Sequence, residues 1–510
     1  MMPMQQNAHL VSLRFLLEGM VNVEQDICVG KPSVDARNIE NNGLFLAVAG
    51  SQSHGLEYVE QAIDAGAIAI VYELASGVEL LVERIKKRHS VILIGLTHLS
   101  ASISEIAAKF YRRPSSKMTV VGVTGTNGKT SVSHFVAQLM QDEGTACGVV
   151  GTLGWGRIDA LREAINTTPD GVSVQQQLAY LFDEGIGSVA MEVSSHGLDQ
   201  GRVTAVEYKG AVFTNLSHDH LDYHQTMTAY GEAKLALFKC PSLEFAVLNN
   251  DDEFSKEIEK VLAPTVKVLT FSRSLDNKDC LLISNEELSA SGVSFDVSLN
   301  GNSVHIQSGL FGRFNVDNLV ASIAVLIAMG RPLSDATINI QKVKSVAGRM
   351  QIVSVSYSAP IVVVDYAHTP DALKLALLSL REHCSGKLKL IFGCGGNRDE
   401  AKRPLMGAIA VELADAVTIT NDNPRLESAE EIVRQIKIGM SDMSRVDVVL
   451  GRQQAIEKVI LGSMRDDIIL VAGKGHEDYQ QIGDKKIAFS DVAEVNKVLN
   501  KLAGEDGCKP

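Results

Sequence analysis

The chain has 510 residues, which at roughly 100–200 residues per domain suggests about three domains. Its formal net charge of −13 argues against nonspecific binding to nucleic acid or to an anionic membrane surface. Its seven cysteines are scattered and never form C-x-x-C, which excludes a thiolate zinc site and a disulfide framework and is typical of a reducing cytoplasm.

No segment predicts a membrane span or a secretion signal. The most apolar stretch, residues 319–329, is much shorter than the roughly 20 residues that cross a bilayer. The N-terminus lacks a basic region followed by an apolar run and a small-residue cleavage site. We therefore expect a cytoplasmic protein.

The first domain boundary is predicted near residue 113. A helical pattern over residues 103–111 ends at the polar, proline-containing stretch 112–117, just before the β-branched run 118–123. From there, short β-branched runs alternate with helical patterns, which is typical of a parallel α/β sheet. We therefore expect a first domain of residues 1–113.

A phosphate-binding loop is predicted directly after the run 120–123. The sequence TGTNGKTS, residues 124–131, joins this strand to a helical pattern at 132–140. Backbone N–H groups of such a loop can approach a phosphate, while Lys129 reaches the terminal phosphates and Thr130 can hold Mg²⁺. The pattern G-x-x-x-x-G-K-[ST] would place a glycine where Val123 stands, and the alternative is an ordinary strand–helix turn.

The next two predicted strands, 188–193 and 211–215, are followed by candidate metal ligands. Glu192 lies near the carboxyl edge of the sheet, where it can reach Mg²⁺ or be a solvated loop acid. Residues 217–224 hold three histidines and two aspartates, so a zinc hydrolase is an alternative, although an H-E-x-x-H helix is missing. Lys234 lies on a helical pattern and could be an ordinary surface lysine.

The middle domain is predicted to be mixed and to span residues 114–347. Residues 266–308 resemble antiparallel hairpins, with a turn at 300–302, and a helical pattern follows at 315–329. A third domain, 348–510, is predicted from four further buried runs at 361–364, 388–392, 416–420 and 468–471.

Each of the four runs in the third domain ends in a polar loop. These loops are DYAHTPD (365–371), GCGGNRD (393–399), DNPR (422–425) and GKGHE (473–477). Because parallel strands end at one edge, the loops should share one rim that carries Arg, Asp, Asn and Glu. That composition suits a zwitterionic ligand with both carboxylate and ammonium groups.

The chain resembles the Mur ligases of peptidoglycan synthesis over nearly its whole length. The resemblance lies in these motifs and their order, together with EVSSHGLDQGR, SHDHLDYH and the Lys234 helix. The resemblance implies an α/β fold in which a smaller α/β N-terminal domain and a Rossmann-like C-terminal domain flank a central P-loop ATPase domain. It implies ATP-dependent addition of meso-diaminopimelate to UDP-N-acetylmuramoyl-L-alanyl-D-glutamate through an acyl phosphate, with Mg²⁺. It also implies a monomer that acts on small molecules in cell wall biogenesis, cell shape and cell division.

The resemblance further implies roles for individual residues. Catalytic and metal positions are matched by Lys129, Thr130, Glu192, His220 and Lys234, the last as a carbamate. ATP positions are matched by Gly125, Thr126, Asn127, Gly128, Lys129, Thr130, Ser131, Asn315, Arg349 and His368. Muramoyl-substrate positions are matched by Ala36, Thr167, Thr168, Ser194, Gln200 and Arg202. Diaminopimelate positions are matched by Arg398, Asp422, Asn423, Arg425, Gly473 and Glu477.

Ala36 departs from the family, which usually has a serine there, so one hydroxyl contact worth about 1 kcal/mol is lost at the uridine pocket.

Other functions stay open. A lysine-adding ligase is disfavoured because Arg425 would repel the lysine ammonium. Folate polyglutamylation is a more distant ligase function. A P-loop NTPase switch or a nucleotide-sugar binding module would not need the amino-acid pocket or the catalytic groups.

Overall fold

The computed structural model describes residues 9–50, 53–142, 146–164, 166–274, 278–354 and 359–506. The chain divides into two compact units, Met1–Leu269 and Thr270–Pro510. In the described ranges, no helix is long and apolar enough to cross a membrane. Six of the cysteines are free thiols, as the sequence predicts, and Cys508 lies outside the described residues.

The N-terminal part of the first unit is a small α/β layer. Its elements are β1 (Val11–Ser12), α1 (Leu13–Leu16), β2 (Cys28–Val29), β3 (Pro32–Ser33), β4 (Gly43–Ala47), α2 (Val59–Asp64), β5 (Ala67–Glu73), α3 (Glu79–Arg88), β6 (Ile92–Leu96) and α4 (Leu99–Phe110). Strands β3, β4, β5 and β6 pair in parallel in that order. Successive side chains of β4 enter opposite cores: Leu44 and Leu46 pack with α1 and α4, and Phe45 and Ala47 with α2 and α3.

The rest of the first unit is a larger sheet with a parallel centre. Its elements are β7 (Thr119–Thr124), α5 (Lys129–Asp142), β8 (Cys147–Gly151), β9 (Gly154–Arg157), β10 (Ala160–Arg162), α6 (Gly171–Asp183), β11 (Ser188–Glu192), α7 (Ser195–Asp199), β12 (Gly210–Phe213), α8 (Leu221–His224), α9 (Met227–Phe238), β13 (Phe245–Asn249) and α10 (Ser255–Val261). The order is β10-β9-β8-β11-β7-β12-β13, and β9 and β10 are antiparallel additions. The carboxyl ends of β7, β11 and β12 therefore lie side by side.

Antiparallel strands and two helices open the second unit. They are β14 (Lys267–Ser272, which crosses the division), β15 (Cys280–Ser289), β16 (Gly292–Leu299), β17 (Asn302–Ser308), α11 (Arg313–Ala328) and α12 (Leu333–Thr337). The predicted turn is present, with Asn300 at φ 51° and Gly301 at φ 82°. The prediction was wrong for β14, which pairs with β15 in parallel through residues 270–272. Turn chemistry in the sequence cannot reveal the direction of a pair that no tight turn connects.

A doubly wound sheet completes the second unit. Its elements are β18 (Gln351–Ser354), β19 (Ile361–Asp365), α13 (Pro370–Arg381), β20 (Leu388–Phe392), α14 (Lys402–Leu413), β21 (Ala416–Ile419), α15 (Ala429–Ile438), β22 (Val446–Val448), α16 (Arg452–Leu461), β23 (Ile468–Ala472), β24 (Tyr479–Ile482), β25 (Lys485–Ala488) and α17 (Asp491–Asp506). The order is β18-β19-β23-β20-β21-β22, all parallel except β18. Side chains of β19 alternate between two cores, Ile361 and Val363 on one face and Val362 and Val364 on the other. The predicted α/β class is confirmed.

The pH dependence of stability follows in part from His134 of α5. Burial lowers the pKa of its imidazole from 6.5 to about 4. The unfolded chain thus binds this proton at a higher pH than the folded chain, so stability is lost as pH falls from about 6.5 towards 4, by up to about 3 kcal/mol. We expect the urea midpoint to fall less with acidification in His134→Leu than in the wild type. His98→Asn, at an exposed histidine with φ 56°, is the matched control; equal pH slopes in all three proteins would contradict this assignment.

Candidate active site

The shape of the loop between β7 and α5 is set by its glycines and by the two residues that follow β12. Gly125 has φ 149°, and a Cβ placed there would overlap Thr214 Oγ1. Asn215 binds the backbone of the loop: its carbonyl accepts from Thr126 N at 2.8 Å, and its Oδ1 accepts from Asn127 N at 3.0 Å. The loop thus has the backbone shape of a phosphate cradle.

Val123 stands where the common loop pattern has a glycine, and the structure explains it. Val123 is a fully buried residue of β7, and its carbonyl accepts from Val193 N at 2.8 Å. It therefore belongs to the sheet, and the loop begins only at Gly125. Gly128, at φ 86°, supplies the second left-handed position just before α5.

Two lysines meet at one carbonyl of this loop. Lys129 Nζ donates to Gly125 O and Thr126 O, both at 2.8 Å. Lys234 Nζ, from α9, also donates to Gly125 O, at 3.0 Å. Lys234 is 1% exposed, so its interpretation as a surface lysine is wrong. Burial, and secondarily the charge of Lys129, holds the pKa of Lys234 well below its usual value.

Glu192 is buried among hydroxyl groups, which rules out a solvated loop acid. It is 1% exposed at the end of β11. Its Oε2 accepts from Thr130 Oγ1 at 2.9 Å and from Thr152 Oγ1 at 3.1 Å, and its Oε1 accepts from Thr152 N at 2.8 Å. Oxygen donors from two elements of the loop region therefore converge here, which is the donor type that Mg²⁺ prefers.

Thr152 was missed by the sequence analysis. It follows β8 and also shares a hydrogen bond of 3.0 Å with Thr167 Oγ1, so it connects Glu192 to a predicted muramoyl contact. Its only signal in the sequence is a polar residue after a buried strand. A Cβ on the preceding Gly151 would overlap Glu192 Oε1, which shows how closely β8 approaches this carboxylate.

His220 lies at the start of α8 with φ 54°. Its ring packs edge-on against His196 and Tyr230, at centroid distances of 5.0 and 5.9 Å. Burial lowers the pKa of His220, the charges of Lys129 and Lys234 lower it further, and Asp219 opposes them. The described residues contain no group of three or more His, Cys, Asp or Glu that could hold a metal.

Most predicted muramoyl-peptide contacts gather beside Glu192. Thr168 Oγ1 donates to Glu192 O at 3.0 Å and accepts from Ser194 N at 2.9 Å. Arg202 Nη1 donates to Thr168 O at 2.8 Å, and Arg202 Nε donates to Gln200 Oε1 at 3.0 Å. Ala36, by contrast, is a buried residue of the N-terminal layer, in a 3₁₀ turn that Asp35 caps.

The remaining predicted ATP residues belong to the second unit. Tyr366 lies between two of them: Arg349 Cζ is 5.3 Å from the centroid of its ring, and His368 Nδ1 is 2.9 Å from its carbonyl. Burial lowers the pKa of His368. Arg349 Nε is buried and, within the ranges described, has no hydrogen-bond partner, which suits a polar or anionic ligand. Asn315 is 3% exposed, and its amide bonds Phe311 O and Asn318 within its own segment.

The predicted amino-acid residues meet at the carboxyl edge of β20, β21 and β23. Asn423 Nδ2 donates to Glu477 Oε2 at 2.9 Å. Gly473 has φ 114°, and a Cβ there would press on Asp422 Oδ2. Burial raises the pKa of Asp422, while the charges of Arg452 and Lys474 lower it. The edge therefore carries both acidic and basic side chains.

Two arginines complete this edge. Arg425 Nη1 donates to Gly396 O at 2.8 Å, and a Cβ placed on Gly395 would lie 3.0 Å from Arg425 Nη1 and 3.7 Å from Arg398 Cγ. The backbone of Arg425, at φ 52°, pairs with the β24–β25 hairpin: its N donates to Gln481 O at 3.1 Å and its carbonyl accepts from Gly483 N at 2.7 Å. The sequence analysis missed this hairpin, because each strand has only four residues and neither is buried.

Two fully buried cations near this edge were also missed. Lys474 bonds Asn423 and Glu477. Arg452 forms a two-pronged ion pair with Asp491, with both distances 2.7 Å and both side chains fully buried, and donates to Ala472 O at 2.9 Å. A lysine inside GKGHE is visible in the sequence, but its burial is not.

Comparison with known proteins agrees with this geometry. Residues 123–326 match the Mur ligase middle domain, and residues 348–475 match the Mur ligase glutamate ligase domain. The chain is 43% identical over 477 residues to the UDP-N-acetylmuramoyl-L-alanyl-D-glutamate--2,6-diaminopimelate ligase of Ectopseudomonas mendocina (strain ymp), covering 93% of this chain and 96% of the relative. It is 41% identical to the ligase of the same name from Coxiella burnetii, with the same coverage.

A solved structure of a protein with this name superposes with a TM-score of 0.71 at 33% identity, covering 97% of this chain and 99% of the other. Both matches cover nearly the full length of both proteins. By sequence and by structure, the chain belongs to the Mur ligase family.

Proposed function

We propose that this ligase uses ATP to join meso-diaminopimelate to the D-glutamyl residue of UDP-N-acetylmuramoyl-L-alanyl-D-glutamate, a step of peptidoglycan precursor synthesis. The relatives and the solved structure are named for this reaction, and the matches to them cover nearly the whole length of each protein. We further propose that the protein is a cytoplasmic monomer.

The observation that carries the choice of amino acid is the charge pattern at the edge of the second unit's sheet. Arg425 and Arg398 flank Gly395, while Asn423 and Glu477 are bonded to each other. A guanidinium pairs with a carboxylate through two parallel hydrogen bonds, and a glutamate accepts from an ammonium. Diaminopimelate carries both groups at each end, whereas lysine has only an ammonium at its far end.

The chemistry requires activation of a carboxylate, because amide formation from a carboxylate and an amine is unfavourable in water. The glutamyl γ-carboxylate attacks the γ-phosphorus of ATP, and ADP leaves, which produces an acyl phosphate. The amine of diaminopimelate then attacks the acyl carbon, loses a proton, and phosphate leaves. Lys129 offsets the negative charge of the phosphate oxygens while the glutamyl carboxylate approaches them. Positioning and electrostatic stabilisation therefore supply most of the rate acceleration.

A divalent cation would bind beside the loop. Mg²⁺ would be held by Thr130 and Glu192, with His220 and a carbamate on Lys234 as the further ligands, and it would neutralise phosphate charge. The oxygen-rich surroundings of Glu192 fit such an ion. Burial and the charge of Lys129 lower the pKa of Lys234, which favours the uncharged amine, and this is the form that reacts with CO₂.

The remaining assignments follow the three proposed domains. Residues 1–113, with Ala36, bind the uridine nucleotide. Residues 114–347 bind ATP through Gly125–Ser131 and the muramoyl-peptide through Thr167, Thr168, Ser194, Gln200 and Arg202. Residues 348–510 bind the amino acid. Asn315, Arg349 and His368 contact the nucleotide. The buried Nε of Arg349, which has no hydrogen-bond partner among the described residues, supports its part in this assignment.

The test is phosphate release from ATP with the UDP-muramoyl dipeptide present, with meso-diaminopimelate or L-lysine added in parallel and the product weighed by mass spectrometry. We expect product and stoichiometric phosphate only with diaminopimelate. Equal use of lysine would contradict the role of Arg425 in selecting the amino acid, while the ligase class would stand. Phosphate release that is indifferent to the muramoyl substrate would identify an NTPase switch.

Arg425→Met should lower kcat/KM for diaminopimelate on the order of 100-fold, because a two-pronged charged contact to the distal carboxylate is lost. KM for ATP should stay within about twofold, because the substitution leaves the nucleotide contacts intact. Arg434→Met is the matched control: this exposed arginine of α15 pairs only with its neighbour Glu431 among the described contacts. An unchanged kcat/KM in Arg425→Met would contradict the role of Arg425.

A further inference from the structure

A fully buried ammonium lies directly behind the residues proposed to bind the amino acid. The side chain of Lys474 is 0% exposed, although it follows β23 by only two positions. Its Nζ donates to Glu477 Oε2 at 2.7 Å and to Asn423 Oδ1 at 3.1 Å. A buried lysine is costly unless it is paired and hydrogen-bonded, so its place here calls for a reason beyond packing.

The contacts of Lys474 fix which way the Asn423 amide points. Asn423 Oδ1 accepts from Lys474 Nζ and from Gln481 N, the latter at 2.9 Å. With the oxygen held by two donors, the amide nitrogen must face Glu477, and it donates to Oε2 at 2.9 Å. The flipped amide would place an NH₂ group against an ammonium and an N–H.

The same contacts determine which oxygen of Glu477 meets a ligand. Lys474 and Asn423 both donate to Oε2, so Oε1 receives neither of these two donors. The side chain of Glu477 is 19% exposed, whereas that of Lys474 is wholly enclosed. Because Oε2 is bonded to the protein, Oε1 is the oxygen of Glu477 that can accept from a ligand.

The charge of Lys474 also lets two carboxylates share this edge. Asp422 and Glu477 repel each other, and the positive charges of Arg452 and Lys474 offset that repulsion at Asp422. Arg452 is committed to Asp491 by its two-pronged ion pair. Lys474 is the cation that touches Glu477 itself.

We infer that Lys474 is a positioning residue for the amino-acid substrate: its enclosed ammonium orients Asn423 and holds Glu477 so that Oε1 accepts from an ammonium of diaminopimelate. This inference rests on the proposed function and deepens it, because it names the group that prepares the pocket without touching the ligand. Lys474 is thereby distinct from the six residues that match the family's amino-acid contacts.

The experiment compares Lys474→Met with the wild type in the ligation assay, each substrate being varied in turn. We expect KM for diaminopimelate to rise at least about tenfold, while KM for ATP and for the UDP-muramoyl dipeptide stays within about twofold. In a Glu477→Gln background the same substitution should raise KM by less than about threefold, because residues that act as one unit are not additive. Lys486→Met is the matched control. The Nζ of this exposed lysine lies 4.2 Å from the centroid of the Tyr479 ring, over which Lys474 Nζ also lies, at 5.5 Å.

The outcomes separate this inference from the proposed function. If the wild type does not use diaminopimelate, the proposed function fails before any variant is compared. If it does, any of three results overturns the inference. The first is an unchanged KM for diaminopimelate in Lys474→Met, and the second is an equal rise in KM for all three substrates. The third is a rise in KM for diaminopimelate that is as large in the Glu477→Gln background as in the wild type. Should Lys474→Met not fold, Lys474→Gln, which keeps a donor without the charge, is held to the same criteria.

Discussion

Lys129→Met should lower kcat for ligation by at least about 10³-fold, with the thermal midpoint almost unchanged. The ammonium of Lys129 is held by two carbonyls of the loop at 2.8 Å, so it is in place before ATP binds. Loss of a group that stabilises the charge of a transferring phosphoryl group costs about 4 kcal/mol in the transition state, equivalent to this factor. Stability should change little, because Lys129 is only partly buried.

The measurement is single-turnover formation of phosphate together with the mass of the product. Lys256→Met, at an exposed lysine of α10, is the matched control and should retain full activity. A Lys129→Met enzyme that keeps more than about a tenth of wild-type kcat would contradict the phosphoryl-transfer role of this lysine.

Lys234→Met should lower kcat by at least about 100-fold, because it removes both the amine and the carbamate that we propose on it. Lys234 shares the carbonyl of Gly125 with Lys129, so a charged Lys234 would be repelled by the Lys129 ammonium, which favours the uncharged amine. Reaction of that amine with CO₂, with release of a proton, forms a carbamate whose negative charge is attracted to Lys129. Wild-type activity should therefore fall when CO₂ is stripped from the buffer and return when bicarbonate is added.

A spectroscopic readout distinguishes the carbamate from a structural role. Wild-type protein equilibrated with ¹³C-bicarbonate should show a carbamate carbon resonance that Lys234→Met lacks. Lys239→Met, at an exposed lysine one residue beyond α9, should keep both the resonance and the activity. Activity that does not depend on CO₂, together with the absence of the resonance in the wild type, would overturn the carbamate assignment.

The sequence predicts the sheets of this fold well and several side chains of the site poorly. Buried strands such as β19 and β23 are continuous β-branched runs, and a loop at the end of each strand follows from the parallel topology. Lys129 was predicted as a phosphate ligand from the loop motif, whereas Glu192 could also have been a solvated loop acid, and only the family resemblance implied a metal role for it.

What the sequence analysis could not supply depends on tertiary contacts. Lys234 was compatible with a surface position because the helix around it is apolar on several sides, and only packing of α9 on the loop decides that it is buried. Thr152 and Lys474 act through partners 40 and 51 positions away in the sequence, Glu192 and Asn423. Local patterns do not reveal such pairs.

The hairpin that holds the backbone of Arg425 has a consequence for attempts to exchange amino-acid specificity between relatives. The match to the shared glutamate ligase domain ends at residue 475, and β24 and β25 come after it. The arginine that we propose to select the amino acid thus lies in the shared domain, while the hairpin that bonds its left-handed backbone lies in a downstream segment. Transplanting the DNPR loop alone would carry the guanidinium without its scaffold, so a successful graft must include the hairpin.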